Sequence, residues 1–365
     1  MKRFLHKILV IIFFTIILFQ VLSYLSVYVN PSKFYLLAFF GLAYPFILTT
    51  GTVFAIYWLI RKRYKLLYLW LFIFLIGFSF FTDFIQFDNF LKSSPDNKNS
   101  FKLLSYNVKQ FDLYNWKNNK KTRNKMFKLI ENEDADIICL QEFYYDITQN
   151  FRTLDTIVKF QKAKNYYVSD AVVKRNAFHF GLITFSKYPI IKSGEIKYKN
   201  THNFTIFTDI VINNDTIRIF NNHLQSIKFG HQDYTFIDSL NLSINKNEIS
   251  GAKNIFRLLK TAFQKRAHQA NKLSKKIKKS PYKTIVCGDF NDTPVSYTYH
   301  KIMSCGLIDA FCESGFGISS TYVGKFPSFR IDYILHSKDI QSFDYKKINK
   351  KYSDHNPISC KFIIK

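Results

Sequence analysis

An α/β layered domain on a core sheet, joined to an apolar N-terminal helical segment, is what this sequence predicts, and two observations predict it. Apolar residues crowd the first ninety positions, whereas Lys, Asn and Asp dominate afterwards, so the 47% hydrophobic average describes neither part. Beyond about residue 100, short β-rich runs are interleaved with helical patterns, the signature of strands layered with helices. FKLLSYNV, ADIICLQEF, GLITFSKYPI, TIFTDIVI, DTIRIFNNHL, KTIVCGDFN, FRIDYILHS and PISCKFII read as strands bounded by turn residues. Lys120 to Glu133 sets Met126, Leu129 and Ile130 on one helical face, and Gly251 to Lys279 does the same over a longer stretch with Ile255, Leu258, Leu259, Ala262, Leu273 and Ile277. Lys228 to Glu248 has no clear period and reads as a loop over the site or an irregular insertion.

The N-terminal segment is read from length and charge. Ile8 to Tyr28 and Phe34 to Ile60 carry no charge over 21 and 27 residues, and Leu66 to Thr82 carries none over 17 before Asp83. A bilayer core needs about 20 apolar residues per helix, so residues 1–92 predict about three membrane helices. Lys2, Arg3 and Lys7 precede the first, RKRYK at 61–65 precedes the third, and the turn at 30–33 holds a single Lys. That asymmetry places the N-terminus and the 61–65 loop in the cytoplasm, and three spans then deliver the following chain to the other side; an interfacial third segment would reverse it. SSPDNKNS at 93–100 is a polar linker, and a globular domain occupies 101–365.

A net charge of +26 is the kind that attracts polyanions, but only ten of the 52 basic residues are Arg, and the wealth of Lys, Asn, Ile, Phe and Tyr equally fits an AT-rich genome. The five cysteines form no CxxC pair and no metal-finger spacing, and no HExxH occurs, so nothing points to zinc. Three spans without an intramembrane charge offer no substrate path, which disfavours a transporter.

Polar residues recur where apolar runs end. Asn107 follows LLSY, Glu142 follows IICLQ, His223 follows RIFNN, Asp289 and Asn291 follow TIVCG, Asp332 follows FRI, and Asp354 and His355 follow YS. One such residue is ordinarily a surface turn or a structural histidine; six segments delivering them to strand ends predict one rim of a sheet. Carboxylates with an Asn amide are hard oxygen ligands that favour Mg²⁺ or Mn²⁺, which leaves the histidines for proton transfer. Phosphoester hydrolysis needs an electrophilic ion, a group to activate water and a charge on the leaving oxygen, and this inventory supplies all three.

In order along the chain, YNV, LQE, NHL, GDFNDTP, RIDYIL and SDHNPI resemble the endonuclease/exonuclease/phosphatase superfamily from about Phe101 to Lys365. The longer string through GDFNDTPVSYTY, GLIDAF and GISSTY resembles its membrane-attached bacterial members. The resemblance implies an α/β (α+β) four-layered β-sandwich flanked by helices, here preceded by the transmembrane segment, with the active site on one rim. It also implies that Glu142 is the principal metal ligand with Asn107 and Asp354 near the ion. Asp289 would activate water, Asn291 would hold a phosphate oxygen, Asp332 would pair with His355, and His223 would stand at the leaving group. Asn222 departs from the Thr frequent before that histidine. Arg330 and Thr321 are candidates for phosphate contact or for structure. The expectation is thus a hydrolase with Mg²⁺ or Mn²⁺, acting on nucleic acid or a phospholipid headgroup and held in a bacterial inner membrane with its catalytic domain on the non-cytoplasmic side. A catalytically silent receptor or scaffold is the alternative.

Overall fold

The computed structural model describes residues 2–87, 100–115, 118–148, 151–227, 246–324 and 327–365, so nearly all of the 93–100 linker and of the 228–248 segment lie outside the described residues. Helices α1 (Lys2–Ser26), α2 (Leu36–Ile60), α3 (Tyr64–Ile76) and α4 (Phe78–Thr82) come first. Then follow β1 (Ile85–Gln86), β2 (Phe101–Asn107), α5 (Asn119–Glu133), β3 (Ile137–Asp146), α6 (Thr153–Gln161), β4 (Asn165–Lys174), β5 (Phe178–Ser186), β6 (Ile190–Lys197), β7 (Phe204–Ile212) and β8 (Asp215–His223). The chain closes with α7 (Lys246–Lys278), β9 (Lys283–Asp289), α8 (Tyr297–Met303), β10 (Leu307–Asp309), α9 (Ala310–Ser314), β11 (Gly317–Ile318), β12 (Asp332–Ser337), β13 (Ile340–Lys347) and β14 (Ile358–Ile364). The chain divides into two compact units.

The first unit combines Met1–Phe84 with Lys228–Ala270 and Asp292–Lys301. Arg3–Ser26 and Leu36–Ile60 are long and apolar enough to cross a membrane. The third apolar stretch runs as two helices in series, α3 and α4, interrupted at Gly77, where an added Cβ would lie 2.0 Å from the Tyr24 ring. Tyr24 fills that space and donates its hydroxyl to the Ile73 carbonyl at 3.1 Å. Two apolar clusters hold the helices together: Phe13, Ala55, Trp58 and Trp70 in one, and Tyr24, Val27, Tyr44, Phe80 and Val295 in the other.

A buried ion pair also belongs to this unit: Arg266 Nε lies 3.1 Å from Asp292 Oδ2, with side chains 1% and 5% exposed. Removing one member of such a pair strands charge in a low-dielectric setting. Arg266→Ala is expected to cost about 3–5 kcal/mol, read as a lowered melting temperature of the detergent-solubilised chain. A shift indistinguishable from zero would show that the carboxylate is well solvated without its guanidinium.

The second unit, Ile85–Ile227, Asn271–Asn291 and Ile302–Lys365, holds two six-stranded sheets. Their orders are β10-β12-β9-β8-β7-β6 and β13-β14-β2-β3-β5-β4. Each is built around one parallel pair, β8 with β9 and β2 with β3, and every other neighbour is antiparallel. Alternation along the strands sends Leu103, Ile137, Cys139 and Ile358 of one sheet and Ile217, Ile219, Ile285, Cys287 and Ile334 of the other into a shared core. The opposite face of the second sheet, with Leu104, Tyr106, Ile138, Leu140 and Phe143, packs under Met126, Leu129 and Ile130 of α5 and Ile157 of α6. The two-sheet sandwich flanked by helices that the resemblance implied is therefore the architecture of the chain. Because β9 and β12 run antiparallel, with Asp289 opposite Asp332, the end of one strand and the start of the next meet at the same rim.

Away from that rim, Glu313 accepts from the Ser342 amide at 2.8 Å and its hydroxyl at 2.6 Å, and lies 3.0 Å from His336 Nε2. Burial opposes its charge, yet the His336 and Ser342 interactions prevail and pull the carboxyl from its ordinary 4.5 to about 2. A depressed carboxyl stabilises the fold above its unfolded pKa, and that contribution disappears as the pH falls through the folded value. Glu313→Gln is therefore expected to be less stable by about 1–3 kcal/mol at pH 7 after solvent screening, with the difference closing between pH 4.5 and 2. Denaturant titrations at pH 7 and pH 3 measure it, and a difference independent of pH would refute it.

Candidate active site

All eight polar residues that the sequence places at strand ends belong to one interacting network on the rim of the sandwich. Asn107, 1% exposed at the end of β2, turns its amide nitrogen toward both sheets, donating to Glu142 Oε1 at 3.3 Å and to Asp289 Oδ2 at 3.1 Å. Its oxygen accepts the Lys109 amide at 3.0 Å, and its carbonyl accepts the Ser353 hydroxyl at 2.8 Å. Glu142 sits where the β3–β5 register shifts between Leu140 and Phe143, with φ of 49°. A left-handed backbone at a non-glycine residue costs about 1–2 kcal/mol, a strain the surrounding bulge sustains and one characteristic of functional positions.

At the end of β9, Asp289 is 1% exposed, and its carboxylate accepts from the Asn291 amide (2.8 Å), the Asn291 side chain (3.0 Å) and Asn107. Gly288 makes this placement possible: its φ is +118°, and a Cβ there would fall 2.2 Å from the Asn222 carbonyl of the neighbouring β8. Asn291, itself at φ 54°, also donates to the Leu224 carbonyl at 3.0 Å. His223 projects from the end of β8 with Nε2 3.7 Å from Glu142 and 3.8 Å from Asp289. Asn222 before it is fully buried, accepting from Thr205 at 2.7 Å and donating to the Cys287 carbonyl at 2.9 Å, so its amide suits the pocket between β7 and β9.

His355 Nδ1 lies 2.9 Å from Asp332, and its Nε2 lies 3.8 Å from Asp289. Thr321 holds the start of β12, its hydroxyl accepting from the Ile331 and Asp332 amides at 3.1 Å each. Arg330 is structural: it is 2% exposed, bonds Asp309 at 2.6 Å, and lies over the rings of Phe311 and Tyr333.

Burial and charge set the protonation of the site. Burial raises Asp289 to about 6 against the pull of His355 and His223. For His355 burial disfavours the cation, but Asp332 and Asp289 outweigh it and raise the imidazole to about 10. Glu142 is raised, first by burial and then by Asp354 beside it. Asp354 is lowered, since His355 and Lys109 overcome its burial. Lys109 Nζ sits 2.9 Å from Asp354.

Asp289, Asp332 and His355 also offer atoms within 4.8 Å of one another, a spacing that could hold a metal ion. A cationic His355 is a poor ligand, and both its nitrogens face carboxylates. The Glu142–Asp354 side fits a divalent ion better: two neighbouring carboxylates, one with its charge disfavoured by burial and the other already drawing an ammonium, are what a hard cation would satisfy. The Asn107 amide nitrogen ties Glu142, on this side, to Asp289.

Besides Lys109, three contributors escaped the sequence reading. Gln141 donates across the sandwich to Asn221 at 2.7 Å, tying β3 to β8 directly behind Glu142 and His223, and Ser353 links the 353–355 segment to β2. Polar neighbours of the motif residues, QE in LQE and NN in NNH, were the available signal for the first two; Ser353 had only its place in SDHN.

A two-sheet sandwich carrying carboxylates, amides and imidazoles on one rim defines the endonuclease/exonuclease/phosphatase type of phosphoesterase fold. Residues 104–355 match the Endonuclease/Exonuclease/phosphatase family, and the chain belongs to it. Residues 6–84 match a family described as Domain of unknown function (DUF8431). Among solved structures, an endonuclease/exonuclease/phosphatase family protein from Bacteroides thetaiotaomicron is similar at 15% identity and a TM-score of 0.52, covering 73% of this chain and 98% of its own. The human Nocturnin catalytic domain with bound sulfate is similar at 17% identity and 0.50, covering 77% and 100%. A mannosyl-6-phosphatase from Bacteroides thetaiotaomicron aligns at 14% and 0.49, covering 72% and 100%. No curated protein matches the chain significantly.

Proposed function

We propose that this chain is a membrane-anchored, divalent-metal-dependent phosphoester hydrolase: residues 1–92 anchor it, 93–100 link, and 101–365 catalyse. The observation that carries this reading is the continuous run of contacts from Glu142 through Asn107 and Asp289 to His355 and Asp332, with His223 against both carboxylates. Glu142 and Asp354 would hold Mg²⁺ or Mn²⁺, with Asn107 beside it. Bound there, the ion would polarise a non-bridging phosphate oxygen and offset charge gained as the ester bond breaks.

The remaining roles follow from protonation. Asp289, ionised above about 6, takes a proton from the attacking water, while the Asn107 and Asn291 amides fix its carboxylate. Asn291 steadies a phosphate oxygen. His355, kept cationic by Asp332, faces the phosphate with positive charge, and His223 returns a proton to the leaving oxygen. The chain ends up with the proton that water lost and gives one to the alcohol.

Anchoring rests on α1 and α2, with α3 and α4 acting in series as the third crossing of a bacterial inner membrane, which sets the catalytic part on the non-cytoplasmic side. The substrate is a phosphoester of nucleic acid or of a phospholipid headgroup. The full chain in detergent is to be assayed with Mg²⁺, Mn²⁺ or EDTA on plasmid DNA, RNA, sphingomyelin-type lipid and a chromogenic diester, with His223→Ala as control. Turnover abolished by EDTA and by the substitution supports the reading, and the preferred substrate separates nucleic acid from lipid. A folded, metal-binding chain inert on the whole panel would count against it.

A further inference from the structure

Directly after Asn107 the backbone does something no strand end requires. Lys109, Gln110, Phe111 and Asp112 all have left-handed φ, at 44°, 54°, 54° and 61°, four successive non-glycine residues in a region L-amino acids disfavour. The turn is pinned at each end. The Lys109 amide donates to Asn107 Oδ1 at 3.0 Å, and the Phe111 amide to the Val108 carbonyl at 2.8 Å. Phe111 is fully buried against Phe127 and Phe143. Such strain persists only where the surroundings over-determine it, and its effect here is to bring the Lys109 ammonium to Asp354.

The Lys109 side chain is 54% exposed, and its ammonium stands on the carboxylate that the proposed function assigns to the ion. An ammonium and a divalent cation sharing one carboxylate repel, so ion binding weakens the pairing of the lysine with Asp354. Its backbone stays fixed while its four-carbon stem remains mobile, and the nearest new anion is the phosphate that the ion itself recruits. We propose that Lys109 is a phosphate-binding residue of this site, serving as counter-ion to Asp354 until a divalent cation and a phosphoryl group replace that partnership. This rests on the metal-dependent reading above.

The test uses the full chain in detergent, stripped of metal, and reads binding. Mn²⁺ is titrated calorimetrically into wild type, Lys109→Met and Lys109→Arg, and inorganic phosphate is then titrated into each Mn²⁺-loaded protein. Lys109→Met is expected to bind Mn²⁺ roughly fivefold more tightly, having lost a competing cation, and phosphate about tenfold more weakly, having lost a charged donor. Lys109→Arg should restore both values toward wild type, which loss of a merely structural side chain would not predict. Lys109→Gln, which keeps polarity without charge, substitutes if the Met variant fails to fold. Mn²⁺ affinity that is unchanged or weakened without the charge overturns the proposal, and so does unchanged phosphate affinity. Wild type that binds no Mn²⁺ would instead sink the metal-dependent reading itself.

Discussion

Asp289→Asn is expected to lower turnover by roughly 10²–10⁴-fold, the usual contribution of a positioned base, while the protein still folds and binds metal. The substitution is nearly isosteric but not neutral. Asp289 receives three donors, from the Asn291 amide, the Asn291 side chain and Asn107. An amide in its place keeps one accepting oxygen and turns an NH₂ group toward donors, which costs about 1–3 kcal/mol of stability. A lower melting temperature should therefore accompany the kinetic loss, and comparing rates well below both transitions separates the two. In the wild type the ionised carboxylate is the active form, so activity should rise as the pH climbs through about 6. Asp289→Asn retaining more than a tenth of wild-type turnover would remove Asp289 from the role of base.

The contrast between what the sequence revealed and what it hid follows from the range of each interaction. Strands β2, β3, β8, β9, β12 and β14 were legible because each is an apolar run broken by turn residues, and the polar residue at each end announces the rim. β4, NYYVSDAVVK, was not legible: it is an edge strand with intermediate exposure throughout most of its length, so burial writes no alternation into it. β13 escaped for another reason, a register irregularity between Phe343 and Lys346 that interrupts its period. In the site, residue types pointed to hard oxygen ligands with histidines left for proton transfer, and the role of each residue came only from the family resemblance. The left-handed backbone of Glu142, the span from Gln141 to Asn221 and the reach of Lys109 to Asp354 depend on segments distant in sequence, and no local pattern encodes them.

Asp332→Asn should act without removing any group that faces the phosphate. Asp332 lies 2.9 Å from His355 Nδ1 and is the leading electrostatic support for the imidazolium in a site whose burial otherwise disfavours charge. With that anion gone, the pKa of His355 falls from about 10, and because the protonated ring is the active form, the alkaline limb of the rate profile moves to lower pH. An asparagine can also present its amide to Nδ1 in the wrong sense, favouring a tautomer that leaves the ring misaligned toward Asp289. Together these effects should lower the plateau rate by roughly 10²–10³-fold, about 3–4 kcal/mol of transition-state stabilisation. The decisive measurement is the pH dependence of kcat/KM: an acid-shifted alkaline limb identifies Asp332 as the residue that keeps His355 charged, whereas a uniform loss with both limbs in place would assign it to packing at the start of β12, where Thr321 already holds its amide. That distinction bears on the whole rim, since a cation at His355 is also what lowers Asp289 and Asp354 toward ionisation.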